Sequence, residues 1–377
     1  MLKLLHDVLV YRGGRWMPSE ILVADKKIAR ISDRIDCSYD ALERIDGCGF
    51  RAIPGYIDQH VHLTGGGGEG GFSNQVPPVK TSALIRAGTT TVVGMLGTDA
   101  VTRSVESLVA KVKAIREEGL SAYCLTGAYR YPSPTVTGSV LKDIVMIEEI
   151  LGVKIAISDH RSSGITKDEL IRLASDARQA GILSGKAGIV HLHTGTGGGG
   201  LGLLFKIAEE TDIPISTFRP THLGDKLGEA LRFAAMGGYI DFTAGEDGAE
   251  AARTIAHALR EAPDGLVTMS SDGNGSMPVW NDKHEMVGIG VARLANLHKV
   301  VASLVIREGL PLEKAVLPCT ENVAKALLLY PHKGCLREGA DADILLLNGQ
   351  VEQDTLIAGG RLVLRHGQVV PKLKFED

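Results

Sequence analysis

Two histidines one residue apart, His60 and His62, close the apolar run I-P-G-Y-I-D-Q-H-V-H-L that begins at Ile53. On a strand, residues two apart project to the same side, so both imidazoles can converge on one metal ion. Neutral imidazole is the commonest protein ligand for a metal, and Asp58 or a backbone carbonyl can fix the ring nitrogen that does not ligate. Groups of the same chemical kind recur downstream: Asp159, His160 and Arg161, then His191 and His193, then His222, then Asp272. Glu69, Thr98, Tyr129 and Ser276 stand at comparable places. A lone histidine is usually structural. The recurrence of such groups behind successive apolar runs is what points to hydrolysis by a metal-activated water.

Lys154 needs its own account. It lies between Val153 and Ile155 in an apolar run, where an unpaired ammonium is costly. Burial can depress its pKa and leave a neutral amine able to add carbon dioxide, giving a carbamate that can bridge two metals. A lysine facing outward, or one paired with a carboxylate, is the simpler alternative.

The elements that must position these groups alternate along the chain. Apolar β-rich runs fall at Ala52–Ile57, Thr89–Gly94, Ser121–Thr126, Val153–Ile157, Ile189–Leu192, Ile215–Phe218, Tyr239–Thr243 and Leu266–Met269, separated by helical patterns such as Lys167–Ala180 and Gly248–Glu261. The runs lack polar alternation, as parallel strands covered on both faces should. This predicts an α/β fold, a (β/α)8 TIM barrel over residues 53–339, with its chemistry at the C-terminal strand ends. A doubly wound open sheet is the alternative. Residues 1–52 and 340–377 read as short strands with turns, each stretch too small for its own core. They are expected to combine into a small β-sandwich module built from both chain ends.

Composition narrows the function classes. The chain has 377 residues, 44% hydrophobic and 23% charged, with a formal net charge of -4, which offers no basic footprint for nucleic acid. The opening M-L-K-L-L-H-D turns polar too soon for a signal peptide, and no apolar run approaches the ~18 residues of a membrane span. Five scattered cysteines without a C-x-x-C argue against a disulfide framework or zinc-thiolate site and fit a reducing cytoplasm. Gly195, Gly197 and Gly200 match G-x-G-x-x-G, but the match comes fifth among the strands and directly behind a histidine. Gly65–Gly68 lacks a following G-K-[ST]. Neither supports a nucleotide site.

Longer motifs sharpen the picture: P-G-Y-I-D-Q-H-V-H-L-T-G-G-G-G-E, V-V-G-M-L-G-T-D, L-T-G-A-Y, I-S-D-H-R-S, P-T-H and S-S-D-G-N-G-S, in that order. With them the chain resembles the isoaspartyl dipeptidase family of the amidohydrolase superfamily along essentially its whole length. The resemblance implies a binuclear metallohydrolase, usually of zinc, that cleaves β-aspartyl dipeptides by attack of a bridging hydroxide. It assigns His60, His62 and Asp272 to one metal, His193 and His222 to the other, and a carboxylated Lys154 to the bridge. Spacing alone lets His191 serve as well as His193. Asp272 would also shuttle the proton, and Tyr129 would polarise the scissile carbonyl. Glu69 would hold the substrate α-amine; Thr98, Arg161 and Ser276 would hold its α-carboxylate. A cytoplasmic homo-oligomer, an octamer in the family's pattern, is implied as well, with no nucleic-acid or membrane partner.

The chain departs from that pattern where the family has a second arginine past the sixth-strand histidine. Here T-H-L-G-D-K-L-G places Asp225 at that offset, with Lys226 or Arg219 as candidate replacements for the charge. The nearest alternatives are a dihydroorotase-like or hydantoinase-like cyclic amidase and a dipeptidase of different acyl specificity.

Overall fold

The strand that carries His60 and ends just before His62 follows directly on a glycine. The computed structural model describes residues 2–280 and 286–376, and in it the expected strand Ala52–Ile57 is two strands, Arg51–Pro54 and Tyr56–Val61. A Cβ at Gly55, between them, would lie 2.3 Å from Thr90 Cγ2, so only glycine lets the chain pass that neighbour. Eight parallel strands then follow in order: β1 (Tyr56–Val61), β2 (Thr89–Gly94), β3 (Ser121–Gly127), β4 (Ile150–Ile157), β5 (Ile189–Thr194), β6 (Phe218–Thr221), β7 (Ile240–Thr243) and β8 (Val267–Ser270). The sixth strand starts later than the apolar run suggests, because Ile215–Thr217 turns as a short 3-10 helix behind Pro214.

Hydrogen bonding divides these strands into a six-stranded sheet, β1 to β6 in sequence order, and a separate pair, β7 and β8. The expectation of a closed barrel is therefore met only in part: no continuous backbone ladder runs round all eight strands among the described residues. Side chains stitch the two seams instead. The buried Asp241 carboxylate of β7 accepts from Gln59 of β1 at 2.6 Å and Thr268 of β8 at 2.9 Å through one oxygen. Its other oxygen accepts from Thr221 of β6 and Ser270 of β8, both at 2.6 Å. Beyond the end of β1, the His62 N–H donates to the Gly273 carbonyl at 2.9 Å. A buried carboxylate is tolerated when its lone pairs are satisfied in this way.

Helices cover the sheet. Val105–Glu117 and Lys167–Ser184 both open with capping boxes, at Ser104 and Thr166, which satisfy free N–H groups of their first turns. Leu108, Val112 and Ile115 of the first and Leu170, Leu173 and Ala177 of the second are buried in one continuous core with the outward-facing strand residues. Burial of each such leucine or isoleucine contributes about 1.5–3 kcal/mol.

The two chain ends meet in one nine-stranded sheet. Arg51–Pro54 lies at its centre, parallel to Leu2–Arg12 on one side and antiparallel to Ile344–Leu347 on the other. Its strands form one hydrogen-bonded network, consistent with the expected sandwich module, and its own core includes Leu5, Val8, Ile21, Ile28, Ile344 and Leu346. Lys333, buried between the last barrel helix and this sheet, pairs with Asp341 and Asp343, both at 2.8 Å.

Candidate metal and substrate site

The C-terminal ends of the parallel strands gather most of the residues singled out by sequence into one cleft. His60 Nε2 faces Asp272 Oδ1 at 3.3 Å and Lys154 Nζ at 3.4 Å. His62 Nε2 faces the same Asp272 oxygen at 3.2 Å. His222 belongs to the same group: its ligand atom, with those of His60 and Asp272, lies within 4.8 Å of the others. The His193 ring packs against His222 with centroids 4.6 Å apart.

Three of the rings are oriented from behind. His60 Nδ1 meets His191 Nε2 at 3.1 Å, and His222 Nδ1 meets the Thr243 hydroxyl at 2.6 Å. His193 Nε2 meets Asp159 at 2.8 Å, while its Nδ1 meets the Tyr129 hydroxyl at 2.7 Å. Asp58 is not the ring-orienting group anticipated for His60 and His62. Its carboxylate accepts from the Ser271 N–H and hydroxyl, next to Asp272.

Burial sets the charge states. It pulls His60 and His191 well below the ordinary imidazole range, with the Lys154 charge adding to the effect. Burial likewise lowers His193 to about 4 and His222 to about 3. Lys154, enclosed by the strands without a carboxylate touching it, is lowered by burial to about 7. Burial works against the Asp272 charge, but the close approach of His62, with His222 and Lys154 nearby, holds its carboxyl below the usual range.

Neutral imidazoles, an ionised carboxylate and an amine that loses its proton readily are what a divalent metal requires of its ligands. Asp272 Oδ1 and His62 Nδ1 are buried without a hydrogen-bond partner. With the ring protons of His60 and His62 on Nδ1, their Nε2 lone pairs converge with an Asp272 oxygen and no donor hydrogen lies between them, a conflict that a cation resolves. The residues present therefore fit a metal centre.

Beside this cluster lies a carboxylate cradle. Glu69 Oε1 accepts from the Thr98 hydroxyl at 2.9 Å and from Arg161 and the Ser276 hydroxyl, both at 3.3 Å. Glu69 Oε2 is buried and has no partner. Arg161, His193, His222, Asp225, Lys226 and Ser276 share the wall of one cleft. Lys226 is thus placed to supply charge there. Arg219 is not: its guanidinium donates to the carbonyls of Ser216, Phe218 and Ala326 and stacks on Tyr239, away from the cleft. His160 lies at the rim of this cleft, its side chain largely in solvent.

The glycine pattern after β5 also finds its explanation here. A Cβ at Gly195 would sit 2.5 Å from Asp159 Cβ, and one at Gly197 would sit 2.7 Å from the Ser158 carbonyl oxygen. These glycines let the loop lie against the end of β4. The structural part of Asp159 and of His191 was not legible in the sequence, where both were only further groups at strand ends.

The chain is similar to a β-aspartyl dipeptidase from the thermophilic, keratin-degrading Fervidobacterium islandicum AW-1, solved in complex with the β-Asp-Leu dipeptide. The two are 39% identical over 100% of both chains, with a TM-score of 0.92. A D-hydantoinase shares the fold at 18% identity, with a TM-score of 0.70 over 100% of this chain and 98% of the other. A dihydroorotase of Staphylococcus epidermidis is 36% identical over 116 residues, 31% of this chain. That match spans only 26% of the dihydroorotase. The amidohydrolase family profile matches residues 51–363, which include every residue of the cleft described above. By that match and the full-length likeness, the chain belongs to the amidohydrolase family.

Proposed function

We propose that this amidohydrolase is a metal-dependent β-aspartyl dipeptidase. The observation that carries the reading is the adjacency of two sites in one cleft: the cluster of His60, His62, His222, Asp272 and Lys154, and the carboxylate cradle of Thr98, Arg161 and Ser276. A β-aspartyl residue carries a free α-carboxylate and a free α-ammonium next to its scissile amide, so it needs a cation and an anion beside the hydrolytic centre. Arg161 and Glu69 are that pair. A cyclic amide substrate makes no such demand.

His60, His62 and Asp272 would hold one metal, His193 and His222 the other, and Lys154, as its carbamate, both. Zinc is the metal this donor set suits best. When bound, the metals supply Lewis acidity and a hydroxide nucleophile at neutral pH. The chain's own groups do the rest. Arg161, Thr98 and Ser276 take the substrate α-carboxylate, displacing the Glu69 oxygen that they now hold and freeing Glu69 for the α-ammonium. The Tyr129 hydroxyl, close to the cluster on His193, polarises the scissile carbonyl. Asp272 accepts the proton of the attacking water and delivers it to the departing amine. Lys226 and Asp225, in place of a second arginine, would loosen the hold on the carboxylate and widen the range of acyl groups.

Residues 53–339 form the catalytic unit in this reading, 1–52 and 340–377 its companion module, and the enzyme works as a cytoplasmic homo-oligomer. Among the described residues no helix is long and apolar enough to cross a membrane. Steady-state kinetics on matched β- and α-aspartyl-leucine, with metal analysis of the same sample, tests the assignment. A clear preference for the β-linked peptide and close to two metals per chain are expected. Equal kcat/KM for both peptides would remove it.

A further inference from the structure

Asp159 is shared between the two halves of the site. Its Oδ1 accepts from the Arg161 backbone N–H at 2.7 Å and from Arg161 Nε at 3.0 Å. Its Oδ2 lies 2.8 Å from Arg161 Nη2 and 2.8 Å from His193 Nε2. The side chain is nearly enclosed, with 6% exposure, so water does not substitute for these partners. Gly195 and Gly197 bring the loop after β5 down onto the Ser158 carbonyl and the Asp159 Cα and Cβ, which packs the base of that side chain.

From this geometry we infer that Asp159 is a positioning residue that sets the His193 tautomer and the Arg161 guanidinium together, so that metal binding and substrate-carboxylate binding depend on one carboxylate. The inference rests on the metal-site reading above. A carboxylate at Nε2 keeps the His193 proton on that nitrogen, so the Nδ1 lone pair, which faces the Tyr129 hydroxyl at 2.7 Å, is the one a metal would take. The same carboxylate grips Arg161 through its Nε and Nη2 edge, which turns Nη1 toward the Glu69 oxygen at 3.3 Å. Arg161 Nη2 also lies 3.4 Å from His193 Nε2. Without Asp159, that contact becomes a hydrogen bond in the opposite sense: the guanidinium donates to Nε2, the ring proton moves to Nδ1, and the ligand lone pair is lost.

Asp159→Asn discriminates well because an amide has one acceptor oxygen where the carboxylate has two. Whichever way the amide turns, its NH2 faces donors, either both from Arg161 or one each from Arg161 and His193. The variant is expected to hold zinc ~10–100-fold more weakly in competition with a chelator, the usual cost of losing such a partner. With zinc saturating, its KM for β-aspartyl-leucine is expected to rise ~10-fold or more, since charged hydrogen bonds are the ones lost. Arg161→Ala, by contrast, should raise KM while leaving zinc affinity near wild type. Gly195→Ala drives a Cβ against Asp159 Cα and Cβ and the Ser158 carbonyl, which shifts Asp159 without changing its charge; it should reproduce both effects, and carries the test if Asp159→Asn does not fold. Wild-type zinc affinity in Asp159→Asn and Gly195→Ala, or a loss of zinc in them with KM unchanged, would overturn the shared role while leaving the dipeptidase assignment standing. Wild-type protein that retains no zinc would remove the metal-site reading and this inference with it.

Discussion

Asp58, on the strand of the paired histidines, holds the Ser271 backbone N–H at 3.1 Å and accepts the Ser271 hydroxyl as well. Ser271 precedes Asp272, whose backbone has φ of 54°, a left-handed conformation unusual for a residue other than glycine. The turn is therefore pinned to β1 by a side chain. Asp58→Ala removes both bonds and leaves two donors buried, which should destabilise the protein by about 1–3 kcal/mol. Metal content should fall with it, because Asp272 loses its fixed aim. Thermal unfolding and elemental analysis read the two effects; a variant with wild-type metal content would show that the turn holds itself.

Lys154 has no carboxylate in contact, sits 3.4 Å from His60 and is fully enclosed. Lys154→Ala should lose metal and activity together if its carbamate bridges the centre. Short carboxylic acids added to that variant should partly restore both. Near-normal turnover without additives would make the lysine structural.

Arg161 should matter for selectivity more than for folding. Truncation to alanine removes a charged hydrogen bond worth about 1.5–3 kcal/mol, or ~10–150-fold in kcat/KM for β-aspartyl-leucine. Lys226→Ala should cost less, because an ammonium on a mobile stem orients a carboxylate poorly. Kinetics of the two variants side by side checks the ranking, and a larger loss for Lys226 would reverse the assignment of the carboxylate site.

The Lys333 pairing gives a prediction about pH. Burial alone would lower this lysine, but Asp343 and Asp341 raise it above its ordinary value. A raised folded pKa stabilises fully below the unfolded value of about 10.4 and fades as pH climbs through the folded one. Lys333→Met leaves the buried Asp343 without its cation, while Asp341 keeps Lys27, at a cost of about 3–5 kcal/mol. The Tm gap between wild type and variant should stay constant from neutral pH to about 9 and narrow only above about 10.4. A gap that closes already near neutrality would contradict the buried pair.

Parts of this arrangement are legible in the sequence and parts are not. Period-two spacing places His60 and His62 on one side of a strand, and uninterrupted apolar runs mark parallel strands covered on both faces. Those features are local, and sequence carries them. Which way Lys154 faces is different: in a strand buried on both sides, apolar neighbours do not distinguish inside from outside. The same ambiguity made Arg219 a candidate for the cleft, whereas its guanidinium is turned to the carbonyls of Ser216, Phe218 and Ala326. The partners of Asp58 and Asp159 lie 213 and 34 residues away, at Ser271 and His193. Hydrogen bonds at such separations leave no periodic trace. The seams beside β7 and β8 are hidden for a related reason, since the residues that join them are ordinary threonines, a serine, a glutamine and one aspartate.

One glycine separates Arg51–Pro54, a central strand of the terminal sheet, from the strand of His60 and His62. Ile344–Leu347 pairs along the whole of Arg51–Pro54, with Ile344 opposite Pro54 and Leu347 opposite Arg51. For protein engineering, this makes the chain's tail a remote handle on the histidines. Trimming residues 340–377 as a dispensable appendage would strip one neighbour from the strand that feeds directly into the active cleft. A terminal deletion that looks harmless on a linear map would thus register as a catalytic defect, and a destabilising lesion in the tail would be mistaken for an active-site mutation.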